Sequence, residues 1–131
     1  MNATQKKETV FFSCPSAIGR ETAREHVERS GFACVFEVLD GEDASGSDAS
    51  RFGKNLRALE DSAALVTDLD AADALASCVW IGYALARGKP VLALSSLDRK
   101  LDAAITEVAF FVRDLVAMEK ALSSLNGTRD P

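Results

Sequence analysis

Short apolar runs alternate with longer mixed stretches along the whole chain. Thr9 to Ser13 (Thr-Val-Phe-Phe-Ser), Ala33 to Val38, Ala63 to Thr67 and Val91 to Leu94 are apolar with polar flanks. That is the pattern of strands buried on both faces. Between them lie stretches with helical spacing. Ala17 to Ser30 sets Ile18, Ala23 and Val27 on one face and charges on the other, with Ser16 as a cap and Gly31 as its end. Pro15 biases Cys14 away from helical dihedrals. Arg51 to Asp61 spaces Phe52, Leu56 and Leu59 as a second helix. Ser77 to Arg87 is rich in Ala and Leu, Gly88 suits a left-handed C-cap, and Pro90 stops the helix. Further on, Leu101 to Glu107 reads as a short helix. Val108 to Val112 reads as a fifth strand, with continuation of that helix as the alternative. Leu115, Met118, Leu122 and Leu125 define a last helix ended by Asn126-Gly127. This alternation predicts a three-layer α/β/α sandwich. Residues 1–131 form one domain in this reading, with 1–8 and 127–131 as flexible tails.

The unit from Ala63 to Leu94 organises the rest. A strand–helix–strand crossover of this kind is right-handed and its strands are parallel. Ligands in such sheets bind at the C-terminal strand ends, beside helix N-termini. Asp68 to Ser77 therefore belong to the expected site. Leu39 to Ser50 holds Asp40, Glu42, Asp43 and Asp48 among Gly and Ser, and its length suits a loop beside a site. The acids do not follow the spacing of a calcium loop, so a solvated loop is expected and no metal.

Composition narrows the function classes. A chain of 131 residues is long enough for one domain with a core, and its formal charge of −5 disfavours nucleic acid and anionic membrane as partners. No run approaches the roughly 20 apolar residues of a membrane span. The first residues carry no apolar signal core, which predicts a cytoplasmic protein. Cys14, Cys34 and Cys78 are odd in number and lack metal or redox spacing, so three buried, reduced thiols are expected. His26 reads as a surface residue and Arg99 as a solvated loop cation.

Several stretches, taken together, resemble the nucleoside 2-deoxyribosyltransferase superfamily. Phe11-Phe12-Ser13-Cys14-Pro15 is similar to its first-strand motif of aromatic, hydrophobic and small residues before Gly-Pro. Asn55 to Ala63 resembles the helix that leads into "Ser-Asp-Ala". Asp68-Leu69-Asp70 matches the loop after strand three. Trp80-Ile81-Gly82-Tyr83-Ala84-Leu85-Ala86-Arg87-Gly88-Lys89-Pro90-Val91 resembles Trp-Glu-Ile-Gly-Tyr-Ala-x-Ala-x-Gly-Lys-Pro-Val. The resemblance covers most of residues 9 to 97. It implies a flavodoxin-like sheet of five parallel strands in order 2-1-3-4-5 and a homodimer. It also implies deoxyribosyl transfer or hydrolysis of the N-glycosidic bond, with a glutamate before the hydrophobic-Gly pair as nucleophile. A carboxylate there stabilises or traps an oxocarbenium-like centre.

This chain departs from the pattern at the chemistry itself. Trp80 stands where the family carries the glutamate, or the glutamate is deleted after Trp80; either way Ile81-Gly82 has no carboxylate before it. Asn55 stands where the second helix carries an acid, and Ala76-Ser77 where Gly-Thr is usual. Asp73 lies near the family's loop acid. An indole is neither nucleophile nor acid. The expected function is therefore a catalytically impaired relative that binds a nucleoside or nucleotide, alone or as the partner of an active paralogue. Two alternatives stand beside it. One is an active N-glycosidase or deoxyribosyltransferase with its carboxylate moved to Asp70 or Asp73. The other is a structural dimerisation module with a closed pocket. The candidate binding residues are Ser13, Cys14, Asn55, Asp68, Asp70, Asp73, Ser77 and Trp80, with no cofactor. Five of them also have an ordinary role open to them: helix capping for Asp73 and Ser77, strand-end solvation and helix capping for Asp68 and Asp70, and a place in the core or a dimer interface for Trp80. Cys78 reads as a buried, inert thiol. The Ser77 to Arg87 helix is apolar nearly all round, so burial beyond its sheet face is expected.

Overall fold

Five parallel strands form one sheet in order β2-β1-β3-β4-β5. The computed structural model describes residues 7–13, 19–39, 48–70, 74–95 and 109–129. In chain order the elements are β1 (Thr9–Ser13), α1 (Arg20–Arg29), β2 (Ala33–Phe36), α2 (Asp48–Glu60) and β3 (Ala64–Asp68). They continue with α3 (Ala74–Ala86), β4 (Val91–Leu94), β5 (Phe110–Val112) and α4 (Leu115–Arg129). The order turns back between β1 and β3, which pair as Val10 with Ala64 through Ser13 with Thr67.

Alternation along each strand divides the core into two layers. Val10, Phe12, Ala64, Val66, Leu92 and Val112 pack against Ala23 and Val27 of α1 and Met118 and Leu122 of α4. Phe11, Leu65, Val91 and Ala93 pack against Leu59 of α2 and Trp80, Ile81 and Ala84 of α3. The three central strands are thus covered on both faces, which accounts for their unbroken apolar runs.

Several boundaries differ from expectation. Helix α1 starts at Arg20, and its N-cap is Gly19 in the left-handed region, without a side-chain cap bond. Ser16 and Ile18 lie outside the described residues, as do 40–47 and the 101–107 helix. Helices α2 and α3 each start three residues earlier than the sequence pattern indicates. Helix α4 passes through Asn126-Gly127 and ends at Arg129. Instead of stopping the helix, Asn126 donates its side-chain amide to the Ser30 carbonyl, 3.3 Å away, at the end of α1. His26 is not a free surface residue. Its Nδ1 lies 2.7 Å from Glu119 Oε1, and Arg29 Nε donates to the same oxygen at 3.2 Å. The His26 hydrogen bond, aided by Arg29, holds the Glu119 carboxyl below its usual range. Its support for the α1–α4 contact is present above the ordinary carboxylate pKa and fades as pH falls through the lowered value. Cys34 is buried, but Cys78 is exposed, against the expectation for it, because it lies on the side of α3 turned away from the sheet. Cys14 lies outside the described residues.

Gly31 and Gly88 end α1 and α3 with φ of +98° and +70°. A Cβ at Gly31 would also collide with the Asn126 side-chain amide. Gly31→Ala is expected to lower stability by about 1–2 kcal/mol, the usual cost of a left-handed non-glycine residue. Gly82→Ala is the control: it sits inside α3 with nothing near the added carbon. It should stabilise by about 0.5–1 kcal/mol. Denaturant titration of both variants checks the contrast, and a neutral Gly31→Ala would contradict it.

Candidate functional site

The turn-back between β1 and β3 makes their C-terminal ends the natural binding crevice of this sheet. Ser13 and Thr67 face each other there in register. Each lies two residues beyond a core residue of the α2/α3 layer, Phe11 and Leu65, so both belong to that side of the sheet. Both are buried.

One more strand end completes the group. Glu37 follows β2 directly, and its N–H donates to the Phe12 carbonyl at 3.0 Å, which holds it against the end of β1. Its carboxylate is buried between two neutral donors. Ser13 Oγ donates to Oε1 at 2.7 Å, and Trp80 Nε1 donates to Oε2 at 3.0 Å. Among the described residues no Lys or Arg pairs with it. The indole is fixed in turn by aromatic contacts. Phe11 meets it edge-on at 5.8 Å, and Phe52 of α2 stacks on it at 5.4 Å with 22° between the rings. Trp80 is 4% exposed and Phe52 is 48% exposed, so the pair runs from the core to the surface.

Asn55 acts on the residue after Glu37. Its Oδ1 accepts from the Val38 N–H at 2.7 Å, and its Nδ2 donates to the Val38 carbonyl at 3.0 Å. A side-chain amide thereby does what a neighbouring strand would do, and keeps the chain extended past β2. On the far side of β1, Asp68 Oδ1 accepts from the Asp70 N–H at 3.0 Å, and Ser95 Oγ donates to Asp70 Oδ1 at 3.0 Å. Burial pushes the Asp68 carboxyl above its usual range, and the Asp70 charge adds to the rise while the backbone hydrogen bond opposes it. Thr67 Oγ1 is buried and has no hydrogen-bond partner among the described residues. Ser77 is buried within the first turns of α3, whose start at Ala74 leaves it inside the helix rather than at its cap.

The candidate residues therefore fall into two groups. Ser13, Asn55 and Trp80 converge on Glu37 and Val38, while Asp68 accepts from the Asp70 N–H and Asp70 accepts from Ser95. Cys14 and Asp73 lie outside the described residues. Glu37 itself carries no motif. Its one signal in the sequence is a charged residue at the end of the apolar run Ala-Cys-Val-Phe-Glu-Val, where a buried strand rarely tolerates one. Among the described residues no group of three His, Cys, Asp or Glu side chains is placed to hold a metal ion. No described helix is long and apolar enough to cross a membrane.

No protein-family model matches the chain, and no curated protein sequence matches it. Solved structures do. A 2-deoxyribosyltransferase from Bacillus psychrosaccharolyticus superposes with a TM-score of 0.69 at 15% identity, covering 87% of this chain and 95% of that one. A 2-deoxyribosyltransferase from Leishmania mexicana superposes with a TM-score of 0.58 at 17% identity, covering 70% of this chain and 67% of that one. The chain has the 2-deoxyribosyltransferase fold. A 3-dehydroquinate dehydratase-like protein from Bifidobacterium longum also superposes, with a TM-score of 0.54 at 12% identity over 97% of this chain and 100% of that one. The deoxyribosyltransferase fold is thus a scaffold shared with a differently named protein, and chemistry has to be argued from the site. What ties the fold to the motifs is position. In this deoxyribosyltransferase fold the Trp80 to Val91 stretch forms α3 and the start of β4, and Ser13 and Asp68 end adjacent central strands.

Proposed function

We propose that this chain is a member of the nucleoside 2-deoxyribosyltransferase superfamily that binds a nucleoside or nucleotide at the C-terminal strand ends and has lost most of the N-glycosidic chemistry. The observation that carries this reading is Trp80. In the resemblance to the family it stands at or just before the glutamate position, and its indole N–H is committed to the buried Glu37. A donor with no acid–base chemistry thus replaces the group that would attack the anomeric carbon. The surrounding polar and aromatic groups remain: Ser13, Thr67, Ser77 and the Phe52–Trp80 stack suit a small polar ligand with an aromatic part.

Calorimetric titration with the common deoxynucleosides and their 5′-monophosphates tests the binding. Saturable binding of at least one of them is the expected result. Absence of binding across the set at millimolar concentration would leave only the structural module.

The same reading includes a homodimer built partly on α3. Its core side is taken by Trp80, Ile81 and Ala84, while Val79 and Leu85 remain 50% and 37% exposed on the outer side. The unpartnered stripe is narrower than the composition of the helix indicates. Sedimentation velocity is expected to show a dimer that Val79→Glu weakens. A monomer at high micromolar concentration counts against it.

A further inference from the structure

We propose that Glu37 is a ligand-binding carboxylate of this site and that it receives two adjacent hydrogen-bond donors of a bound nucleoside. This deepens the reading of the strand ends as a nucleoside pocket and rests on it. An ionised carboxylate has about four acceptor positions. Ser13 and Trp80 fill one on each oxygen of Glu37 and leave one on each. The group is 9% exposed, so water serves these positions poorly, and no cation among the described residues compensates the charge. Buried acceptor positions left without a donor are costly, and further donors relieve that cost.

Thr67 adds a second, independent observation. Its hydroxyl is fully buried on the same side of the sheet and finds no partner among the described residues. Such a group is rare in a folded interior and points to a missing ligand atom or water. Glu37, just beyond β2, and Thr67 on β3 flank Ser13 on β1, so their backbones stand about 10 Å apart, two strand spacings, while the Glu37 carboxylate reaches back to Ser13. The half-exposed Phe52, stacked on Trp80, offers an aromatic face at the outer edge of the group.

Two parts of a nucleoside present adjacent donors to a carboxylate. One is the ring N–H and exocyclic amine of a guanine-type base, and the other is the vicinal hydroxyl pair of ribose. A phosphate is excluded at Glu37 by charge. Trp80 is the only tryptophan of the chain and is hydrogen-bonded to Glu37, so its fluorescence reports directly on the site.

The experiment is a fluorescence titration of the full chain with guanosine, 2′-deoxyguanosine, adenosine and 2′-deoxyadenosine. If the base edge supplies the donors, the two guanine nucleosides bind alike and the adenine pair at least tenfold more weakly. If ribose supplies them, the two ribonucleosides bind alike and the deoxy pair at least tenfold more weakly. In either case Glu37→Gln is expected to weaken the preferred ligands at least tenfold, since the amide places a donor where an acceptor is needed. Should Glu37→Gln not fold, Glu37→Asp carries the same expectation, because it withdraws the carboxylate by one methylene. Preferred binding that is unchanged within twofold in the variant overturns the proposal and leaves Glu37 as a clamp on Trp80. Equal binding of all four nucleosides also overturns it. Failure of the unmodified chain to bind any of the four nucleosides or the 5′-monophosphates overturns instead the nucleoside reading beneath it.

Discussion

Base release from the common deoxynucleosides and their 5′-monophosphates is expected to be at least a thousandfold slower than in an active deoxyribosyltransferase. No carboxylate directly precedes Ile81-Gly82, and the one polar side-chain atom of Trp80 donates to Glu37. Loss of a central charged group costs on the order of 4 kcal/mol in the transition state, and each 1.36 kcal/mol is about tenfold in rate. Nothing among the described residues compensates in place. Asp68 is engaged by the Asp70 backbone and Asp70 by Ser95. Glu37 is buried with both oxygens already bonded.

Trp80→Glu is the complementary variant, and the structure shows how to make it fairly. On its own it would remove one donor from Glu37 and set a second carboxylate in the same pocket, where two like charges cannot both remain ionised. Trp80→Glu combined with Glu37→Gln avoids that conflict. Measurable base release from the double variant, absent in the unmodified chain, is the expected result. Turnover by the unmodified chain that disappears in Asp70→Ala, Asp73→Ala or Glu37→Gln would refute the impaired reading and identify a relocated carboxylate.

Asn55→Ala is expected to cost about 2–4 kcal/mol of stability, because the Val38 N–H and carbonyl each lose their partner at about 1–3 kcal/mol, less what water restores. For a chain of this size that is on the order of 10 °C in Tm. Asn55→Asp should fall between Asn55→Ala and the unmodified chain. A carboxylate still accepts from the Val38 N–H but opposes the Val38 carbonyl with a second acceptor. This also explains why an acid at this position does not suit the chain: Asn55 holds the backbone beside Glu37 with both ends of its amide. Trp80 emission should shift in Asn55→Ala, since the segment that delivers Glu37 loosens. Denaturant unfolding followed by far-ultraviolet circular dichroism checks the stability. A loss below about 0.5 kcal/mol would show that the amide merely fills space, as ordinary surface substitutions do.

Much of this was legible along the chain. The limits of β1 and β4 follow from apolar runs with polar ends, and the left-handed Gly31 and Gly88 from their places after helical stretches. The motif from Trp80 to Val91 pointed to the fold. These are local properties: periodicity, capping and chain stiffness act over a few residues and leave their mark in residue order. Helix α4 shows where that stops. Asn126-Gly127 carries a local stop signal, yet the helix continues while Asn126 binds Ser30 on α1, a contact that exists only once the two helices pack. Glu37 is the larger case. Its partners come from β1 and α3, and which strand ends meet depends on the crossovers that place β2 beside β1 and β3 on the other side. Periodicity places Glu37 at the end of a buried strand. Only the parallel register, which brings its N–H onto Phe12, puts the carboxylate between Ser13 and Trp80, because hydrogen bonds between distant segments are chosen by the packed sheet and not by neighbours in the chain.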